Sequence, residues 1–405
     1  GPMITELEIE GFKSFGYPAA KIQLGRLNFL AGANASGKSN LILALQFIQN
    51  AVLQNVEYAV NELGGNAEVR NKIYRERTKP RPVRFRLKFD DSLEFAVAKN
   101  ETLRVMNLEY GAQIDLRSEQ DIPKIVSEHF VARVEREGQA PIRFQLNRDR
   151  ESIEITDIFH DSQIRRTPVL KEESARLAVG SGGFLALPCV PLLENIKKWR
   201  FYNISPDIAR RSYPDIPETE LGRSGENLSV ILHKMKEGKN GSQIKKILHG
   251  LKSAVPGFRE IKTTRLPVEN KWAFQIGEEK MQGSINPASV SDGTIRLLAL
   301  LVIAYWTARK SSLIALEEPE NGLHPHLAEH IIEVLREAAA HSQLLVTTHS
   351  PAFLDHLDSN EVILFDKIGG KTRLKRAADV QEIDSFRKHY SIGDLWIQGT
   401  LGGIP

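Results

Sequence analysis

The chain has 405 residues, of which 41% are hydrophobic and 26% charged, a composition that is typical of a folded globular protein and excludes a disordered one. A single cysteine, Cys189, excludes an internal disulfide and a multi-cysteine metal centre, which favours a reducing, cytoplasmic setting. The net charge of +3 neither requires nor excludes a nucleic-acid partner. The longest apolar run, Leu297 to Trp306, is too short to cross a bilayer, so we expect no membrane partner.

The first predicted elements are short strands, followed by a glycine-rich loop and a helix. We interpret Gly1-Pro2, ahead of Met3, as a cleavage scar and exclude it from the fold prediction. The pattern predicts strands over Ile4–Glu10 and Lys21–Ala31 and a helix from Lys38 to about Val56. A basic stretch, Arg70 to Lys88, comes next.

The following stretch, from about Asp90 to Leu187, carries no motif that assigns a function. Alternating apolar and polar residues predict strands over Val83–Phe89, Leu103–Ile114 and Ile142–Ile155. The segment Ile122–Arg136 is predicted as a helix. We therefore expect an inserted α+β lobe here.

The remainder of the chain alternates helices with short apolar strands, as a parallel α/β sheet does. The predicted elements ahead of this sheet are a strand over Lys198–Ile204, helices over Gly225–Lys236 and Ser242–Ala254, and a hairpin over Phe258–Ile285. We expect an α/β fold in which residues 1–89 and 198–405 build one head and residues 90–197 form the lobe.

The glycine-rich loop matches the phosphate-binding motif G-x-x-x-x-G-K-[ST] in full, and an apolar strand and a helix flank it as the motif requires. Its residues are Gly32, Ala33, Asn34, Ala35, Ser36, Gly37, Lys38 and Ser39. Backbone N–H groups of such a loop and of the helix N-terminus attract a phosphate chain. We expect Lys38 to reach the β- and γ-phosphates and the Ser39 hydroxyl to bind Mg²⁺. The loop thus predicts a nucleoside triphosphate site.

Two acidic residues follow a buried strand at Leu313–Leu316, at the edge where open α/β sheets bind ligands. We assign Glu317 to the metal and Glu318 to the attacking water, because hydrolysis needs one carboxylate for Mg²⁺ and another to accept a proton. Most ATPases of this kind carry Asp at the first position, so whether Glu317 contacts Mg²⁺ directly or through water stays open. His349, which ends the next predicted strand, is placed to bridge the γ-phosphate and Glu318.

A second predicted anion site begins the apolar helix that runs to about Ala308. It has the residues Ser291-Asp292-Gly293-Thr294, and a serine at a helix N-terminus can also serve as a plain helix cap. The segment resembles the signature of ABC ATPases, with Asp292 in place of a glycine.

Together these motifs resemble the SMC/RecF/OLD-type ABC ATPases, and most of all the stand-alone bacterial ATPases called AAA-21. The resemblance covers about residues 3–56 and 198–405 and leaves out the lobe. The matching segments are Gly11–Phe15, Lys38–Asn40, Gly225–Leu228, Ser291–Thr294, Glu317–Pro325, Thr348–Pro351 and Gly393–Gly403.

The resemblance implies a head with a RecA-like parallel core and N-terminal antiparallel strands. It also implies a homodimer, or a higher even oligomer, in which Ser291, Asp292 and Gly293 of one chain cap the ATP bound to the other. Lys13 and Asn40 would then approach the nucleotide. The residues of the D-loop that faces the partner would be Asn321, Gly322, Leu323 and His324. The Q-loop glutamine is left open between Gln113 and Gln145.

The basic stretch allows two interpretations. Nine of its nineteen residues are Lys or Arg, and strand alternation places Arg84, Arg86 and Lys88 on one face. Such a face can bind the phosphates of DNA, or it can be an ordinary solvated strand face.

These features lead to two functional hypotheses. The first is an ATP-hydrolysing switch in bacterial anti-phage defence that controls an effector protein from a neighbouring gene. It is motivated by the lack of any Asp-x-Asp sequence, because the Toprim nuclease of OLD-type proteins would need one. The second is a RecF-like, ATP-gated DNA-binding protein of DNA repair. A transporter ATPase fits poorly, because its signature lies much closer to the phosphate loop.

Overall fold

A computed structural model describes residues 1–72, 81–116, 122–156, 164–180, 187–238, 241–278, 284–285 and 290–402. The strands are β1 (Ile4–Glu10), β2 (Ala20–Gln23), β3 (Leu27–Ala31), β4 (Val83–Phe89), β5 (Leu93–Ala98), β6 (Glu101–Asp115), β7 (Lys124–Arg136), β8 (Ile142–Arg148), β9 (Ser152–Thr156), β10 (Ile164–Pro168), β11 (Trp199–Tyr202), β12 (Tyr213–Pro214), β13 (Phe258–Leu266), β14 (Lys271–Glu278), β15 (Ser284–Ile285), β16 (Leu313–Glu317), β17 (Gln343–Thr348), β18 (Val362–Ile368) and β19 (Lys371–Arg376). The α-helices are α1 (Lys38–Leu53), α2 (Val56–Asn61), α3 (Asn66–Val69), α4 (Val190–Lys197), α5 (Pro206–Ala209), α6 (Leu228–Glu237), α7 (Gly241–Ala254), α8 (Asp292–Tyr305), α9 (Ala328–Ala339), α10 (Pro351–Leu354), α11 (Ile383–Arg387) and α12 (Ile392–Ile397).

The chain divides into two compact units, each built from three chain segments. Unit 1 contains Gly1–Gly25, Asn34–Trp199 and Phe365–Lys375, and unit 2 contains Arg26–Ala33, Arg200–Leu364 and Arg376–Pro405. One boundary falls two residues after the predicted one at residue 197, and none falls near residue 89. The division into 1–89, 90–197 and 198–405 stays a prediction.

Unit 1 is built on a nine-stranded antiparallel sheet with the order β10-β9-β8-β7-β6-β4-β1-β2, in which β5 also pairs with β6. The strands predicted at Val83–Phe89 and Leu103–Ile114 are confirmed as β4 and β6. Residues alternate along β4 between buried positions and partly exposed ones, as the sequence pattern predicts. The sheet joins β1, β2 and β4 with the strands of residues 90–168.

The helix predicted over Ile122–Arg136 is wrong, because β7 occupies this segment and pairs with β6 and β8. Buried positions alternate along β7 at Glu128, Phe130, Ala132 and Val134. A glutamate at one buried position hides this alternation in the sequence. Glu128 accepts hydrogen bonds from the Tyr110 hydroxyl (2.8 Å) and the Ala178 N–H (2.6 Å), which compensate its burial.

The single strand predicted over Lys21–Ala31 is also wrong. Strand structure is interrupted at Leu24-Gly25-Arg26. As a result, β2 belongs to the antiparallel sheet and β3 to the parallel one. All five residues of β3 are buried, which is typical of a strand covered on both faces.

Unit 2 contains the parallel core, in which β16, β17, β3 and β18 are neighbours in this order. Helix α8 is buried from Leu297 to Ala304, and α9 buries one face that includes Ile331 and Leu335. The predicted hairpin is confirmed as β13 and β14, to which β12 and β15 add. Among the described residues, no helix is both long and apolar enough to span a membrane.

Candidate functional site

The phosphate loop leaves β3 at Gly32 and enters α1 at Lys38. Ala35 and Gly37 have positive φ angles, 66° and 110°, which turn successive N–H groups to one side as in an anion-binding nest. A Cβ atom on Gly37 would overlap the Thr372 hydroxyl, so only glycine fits there. No described side chain caps the N-terminus of α1. The N–H groups of its first turn are therefore suited to an anion.

The side chains of the loop differ in exposure. Asn34, Ala35 and Ser39 are exposed, whereas Ser36 and Lys38 are buried. The Ser36 hydroxyl has no hydrogen-bond partner within the described part of the chain. Three features of the loop therefore fit a phosphate group. They are the uncapped N-terminus of α1, the nest formed by Ala35 and Gly37, and the Ser36 hydroxyl.

Three residues of unit 1 support this loop from behind. The Thr372 hydroxyl on β19 lies 3.0 Å from the Ser36 carbonyl oxygen and 2.6 Å from the Ser14 hydroxyl. Asn40 Nδ2 donates to Ser14 Oγ at 2.8 Å. We call Ser14, Asn40 and Thr372 the loop support. No sequence signal points to Thr372, because it lies more than 330 residues after the loop and belongs to no motif.

Lys13 lies in a pocket of about 250 Å³ that Ser14 and Asn40 also line. Its N–H donates to the Val69 carbonyl oxygen at 2.7 Å, and its ammonium group donates to the Glu68 carbonyl oxygen at 3.1 Å. Burial lowers the pKa of Lys13 below its ordinary value. The backbone is strained here, since φ is 47° at a lysine. The predicted contact of Lys13 with a nucleotide stays a prediction.

In unit 2, the carboxyl ends of three parallel strands lie side by side. Glu317 at the end of β16 is paired with Thr347 of β17, and Thr348 is paired with Ala31 of β3. The register therefore brings the acidic pair, His349 and the start of the phosphate loop to one edge of the sheet.

Glu318 is the most constrained residue at this edge. Its φ angle of 43° is unfavourable for a glutamate, and its N–H donates to Thr347 Oγ1 at 3.0 Å. One carboxylate oxygen lies 3.1 Å from His349 Nδ1, and the other accepts from Asn321 Nδ2 at 2.9 Å. The structure thus brings Glu318 and His349 together, as the sequence predicts. Strain of this kind, about 1–3 kcal/mol, is characteristic of functional sites.

A third glutamate, Glu320, belongs to the same edge, although no sequence prediction assigns it a role. It accepts hydrogen bonds from the Thr348 hydroxyl (2.7 Å) and the His349 N–H (3.3 Å). Burial raises the pKa of its carboxyl above the ordinary value. Glu320 therefore fixes the backbone from which the His349 side chain extends. Glu317, by contrast, is partly exposed and lies 4.0 Å from Arg223.

Ser291 caps α8, because its hydroxyl accepts from the Thr294 N–H at 3.2 Å. It is exposed, as is Asp292, which forms an ion pair with Arg210. A Cβ atom on Gly293 would lie 2.8 Å from the Gly322 carbonyl oxygen. The predicted signature and the predicted D-loop of one chain are therefore in direct contact.

The other predicted D-loop residues differ in their surroundings. Leu323 packs on the core of unit 2 and His324 is exposed beside His326. The two candidate Q-loop residues, Gln113 and Gln145, lie on β6 and β8 of unit 1.

The predicted basic face of β4 faces the acidic residues of β1. Arg86 forms ion pairs with Glu6 and Glu8, and Arg84 with Glu8 and Glu10. Further ion pairs join Arg86 to Glu109 (3.0 Å), Lys21 to Glu8 (3.2 Å) and Lys88 to Asp90 (3.9 Å). We call these residues of β1, β2, β4 and β6 the ion-pair ladder. Arg75, Arg77 and Lys79 of the basic stretch lie outside the described residues.

Comparison with protein families decides the classification. The family model described as "AAA domain, putative AbiEii toxin, Type IV TA system", AAA-21, matches residues 27–355. The chain belongs to this family. As the sequence resemblance predicts, it is an ATPase of the SMC/ABC type.

The AAA-21 chain is also similar to solved structures of SMC heads. It shares 13% identity with an SMC head bound to the C-winged helix domain of ScpA, with a TM-score of 0.53, and 92% of this chain and 97% of that chain are covered. The SMC head domain of Thermotoga maritima (15% identity, TM-score 0.41, 92% and 98% covered) and a head from Pyrococcus furiosus bound to ScpA (14%, 0.44, 96% and 100%) also match. The first similarity confirms the ABC-type head fold. No curated protein sequence matches the chain.

Proposed function

We propose that this AAA-21 protein binds ATP with Mg²⁺ on its phosphate loop and hydrolyses it with Glu318 as the general base. The observation that carries this proposal is the geometry of Glu318, which is held between His349 and Asn321 on a strained backbone. A carboxylate that must orient a water needs fixed oxygens, and His349 and Asn321 each hold one of them.

The remaining groups have the chemistry that this reaction needs. Lys38 would contact the β- and γ-phosphates, and the nest of Ala35 and Gly37 would bind phosphate oxygens. Ser39 and Glu317 offer exposed or partly exposed oxygen ligands, the kind that Mg²⁺ prefers. The metal would neutralise charge on the phosphate oxygens. His349 would contact the γ-phosphate while it orients Glu318.

We further propose that two chains enclose the ATP. Ser291 supports this, because it lies exposed at the N-terminus of a long helix and can cap a phosphate of a second chain. The D-loop from Asn321 to His324 would then face the partner's site.

The proposed biological role is a cytoplasmic switch that controls an effector from a neighbouring gene in anti-phage defence. The family description, which names a toxin of a toxin–antitoxin system, supports a two-component arrangement. The alternative, a RecF-like DNA-binding protein, rests on Arg84, Arg86 and Lys88. The ion-pair ladder weakens this alternative, because the acids of β1 neutralise both arginines.

The decisive experiment measures particle mass by light scattering with and without ATP for the Glu318→Gln variant. This variant removes the base but keeps the shape, so bound ATP should persist and double the mass. Glu329→Gln is the matched control, because Glu329 is an exposed acid on α9 and its loss should leave ATP turnover as in the wild type. A Glu318→Gln protein that stays monomeric with ATP contradicts the two-chain site.

A further inference from the structure

Asp292 places a negative charge where the proposed dimer requires an anion site. It is the first residue of α8 and its side chain is 66% exposed. An acid in the first turn stabilises a helix, but it repels a phosphate that approaches the same N-terminus. A signature that contains this residue therefore needs a compensating charge.

Arg210 supplies that charge and also holds the backbone. It follows α5, and its side chain is only 14% exposed. One guanidinium nitrogen, Nη1, donates to the Val290 carbonyl oxygen at 2.9 Å, and Nη2 pairs with the Asp292 carboxylate. Its Nε donates to the Pro206 carbonyl oxygen at 3.1 Å, which ties the group to α5.

These contacts have a specific geometry. Val290 and Asp292 are the two neighbours of Ser291 in the chain, so one planar group holds the residue before the serine and the residue after it. Ser291 itself remains exposed. The arrangement fixes the serine without covering it.

We propose that Arg210 is the positioning residue of the signature, which fixes Ser291 for the partner's ATP and neutralises Asp292 so that the triphosphate is accepted. This inference rests on the proposed two-chain site. It concerns assembly around ATP and leaves nucleotide binding by the single chain untouched.

The test compares variants in the Glu318→Gln background by the ATP concentration that gives half-maximal dimer. Arg210→Gln should raise this concentration at least about tenfold, since a charge-assisted hydrogen bond and the neutralisation of a carboxylate are both lost. Arg211→Gln is the matched control, because it removes the same charge from the exposed neighbouring residue, and it should change nothing. The affinity of the single chain for ADP, which lacks the γ-phosphate, should stay within about twofold in every variant.

A charge rescue separates positioning from a merely structural role. Adding Asp292→Gly to Arg210→Gln removes the unneutralised carboxylate and should recover most of the lost ATP sensitivity. Asp292→Gly alone has no carboxylate to neutralise and is the variant with which the double variant is compared. If Arg210→Gln needs no more ATP than the reference, the inference is overturned. If the second substitution recovers nothing, the neutralising role is overturned.

Two further results complete the design. Arg210→Lys keeps the charge and loses one hydrogen bond, so it should fall between the reference and Arg210→Gln. It replaces Arg210→Gln if that variant does not fold, and a Lys variant equal to the reference overturns the positioning role, because the charge alone would then be sufficient. A Glu318→Gln reference that never dimerises refutes the two-chain proposal and this inference with it, whereas a dimerising reference with an indifferent Arg210→Gln refutes the inference alone.

Discussion

Two groups of side chains, one in each unit, bring several carboxylates together but hold them differently. They are the ion-pair ladder of unit 1 and, in unit 2, the set of Glu318, Glu320, Asn321 and His349, which we call the Glu318 cluster. In the ladder, Glu6, Glu8 and Glu10 lie on a regular strand and face arginines. In the cluster, Glu318 has left-handed backbone angles and faces an imidazole and an amide. Arginine carries a permanent positive charge that keeps a neighbouring carboxylate ionised. The acids of the ladder are thus held in ion pairs on a strand, whereas Glu318 is held on a strained backbone, and this difference supports its proposed role as the base.

The largest effect is expected on the rate of ATP hydrolysis, when the central residue of the Glu318 cluster is replaced. Glu318→Gln should lower the rate of phosphate release from ATP by at least about 100-fold, because general-base catalysis contributes roughly 10²–10⁴. ATP affinity, measured by equilibrium dialysis, should stay close to that of the wild type. Glu10→Gln in the ladder provides the comparison and should keep the rate. A Glu318→Gln enzyme that keeps its rate would remove Glu318 from the mechanism.

The next effect concerns the loop support. Thr372→Val keeps the shape and removes the hydroxyl beside the Ser36 carbonyl oxygen and Ser14. An unsatisfied buried polar group costs about 1–3 kcal/mol, so ATP affinity should fall about tenfold. Titration calorimetry measures the change. Thr372→Ser keeps the hydroxyl and should bind like the wild type. A loss in Thr372→Ser with none in Thr372→Val would show that the methyl group, and not the hydroxyl, matters.

A third prediction concerns the ladder and acid. Burial raises the pKa of Glu8, but hydrogen bonds and charges from Arg86, Lys21 and Arg84 outweigh it and lower the pKa to about 2. Ionised Glu8 therefore stabilises the folded chain by on the order of 2 kcal/mol. This stabilisation is fully present above pH 4.5, the pKa of the unfolded chain's carboxyl, and is lost as the pH falls towards 2. Urea unfolding at several pH values should therefore show that the free energy of unfolding falls less for Glu8→Gln than for the wild type as the pH is lowered from 4.5 towards 2. Parallel curves for the two proteins would contradict this account.

The smallest expected effect concerns Lys88, whose side chain is 39% exposed and 3.9 Å from Asp90. Lys88→Gln should leave the salt dependence of DNA binding unchanged, because a lysine that contacts no phosphate releases no counterions from DNA. A residue that binds a DNA phosphate would instead reduce the slope of log affinity against log salt by about one. Such a reduction would favour the RecF-like alternative.

The sequence predicts the parts of the site that lie within short segments. The phosphate loop, the acidic strand and His349 are each read from a few consecutive residues, and the parallel register then brings the last two together. Partners from distant segments could not be predicted in this way. Thr372 and Arg210 contact their motifs only through the tertiary fold, and the pairing of β1 with β4 that neutralises Arg84 depends on a register across more than 70 residues.

The errors in the predicted fold have equally specific causes. Glu128 interrupts the apolar alternation of β7, and the hydrogen bonds that allow its burial are not visible in the sequence. The short break at Leu24-Gly25-Arg26 separates β2 from β3 although the residues on either side have strand character. The existence of α6, α7 and the hairpin, by contrast, follows from local periodicity and turn residues, although α6 begins three residues after the predicted start at Gly225.

The close approach of Gly293 to Gly322 has a consequence for how the two ATP sites of the proposed dimer are coupled. A Cβ atom on Gly293 would lie 2.8 Å from the Gly322 carbonyl oxygen, so the signature and the D-loop are closely packed against each other. In the proposed dimer, the first of these loops serves the partner's ATP, and the second follows directly from the chain's own Glu318. In that arrangement we expect a shift of either loop to move the other, which would couple the partner's ATP to the chain's own Glu318.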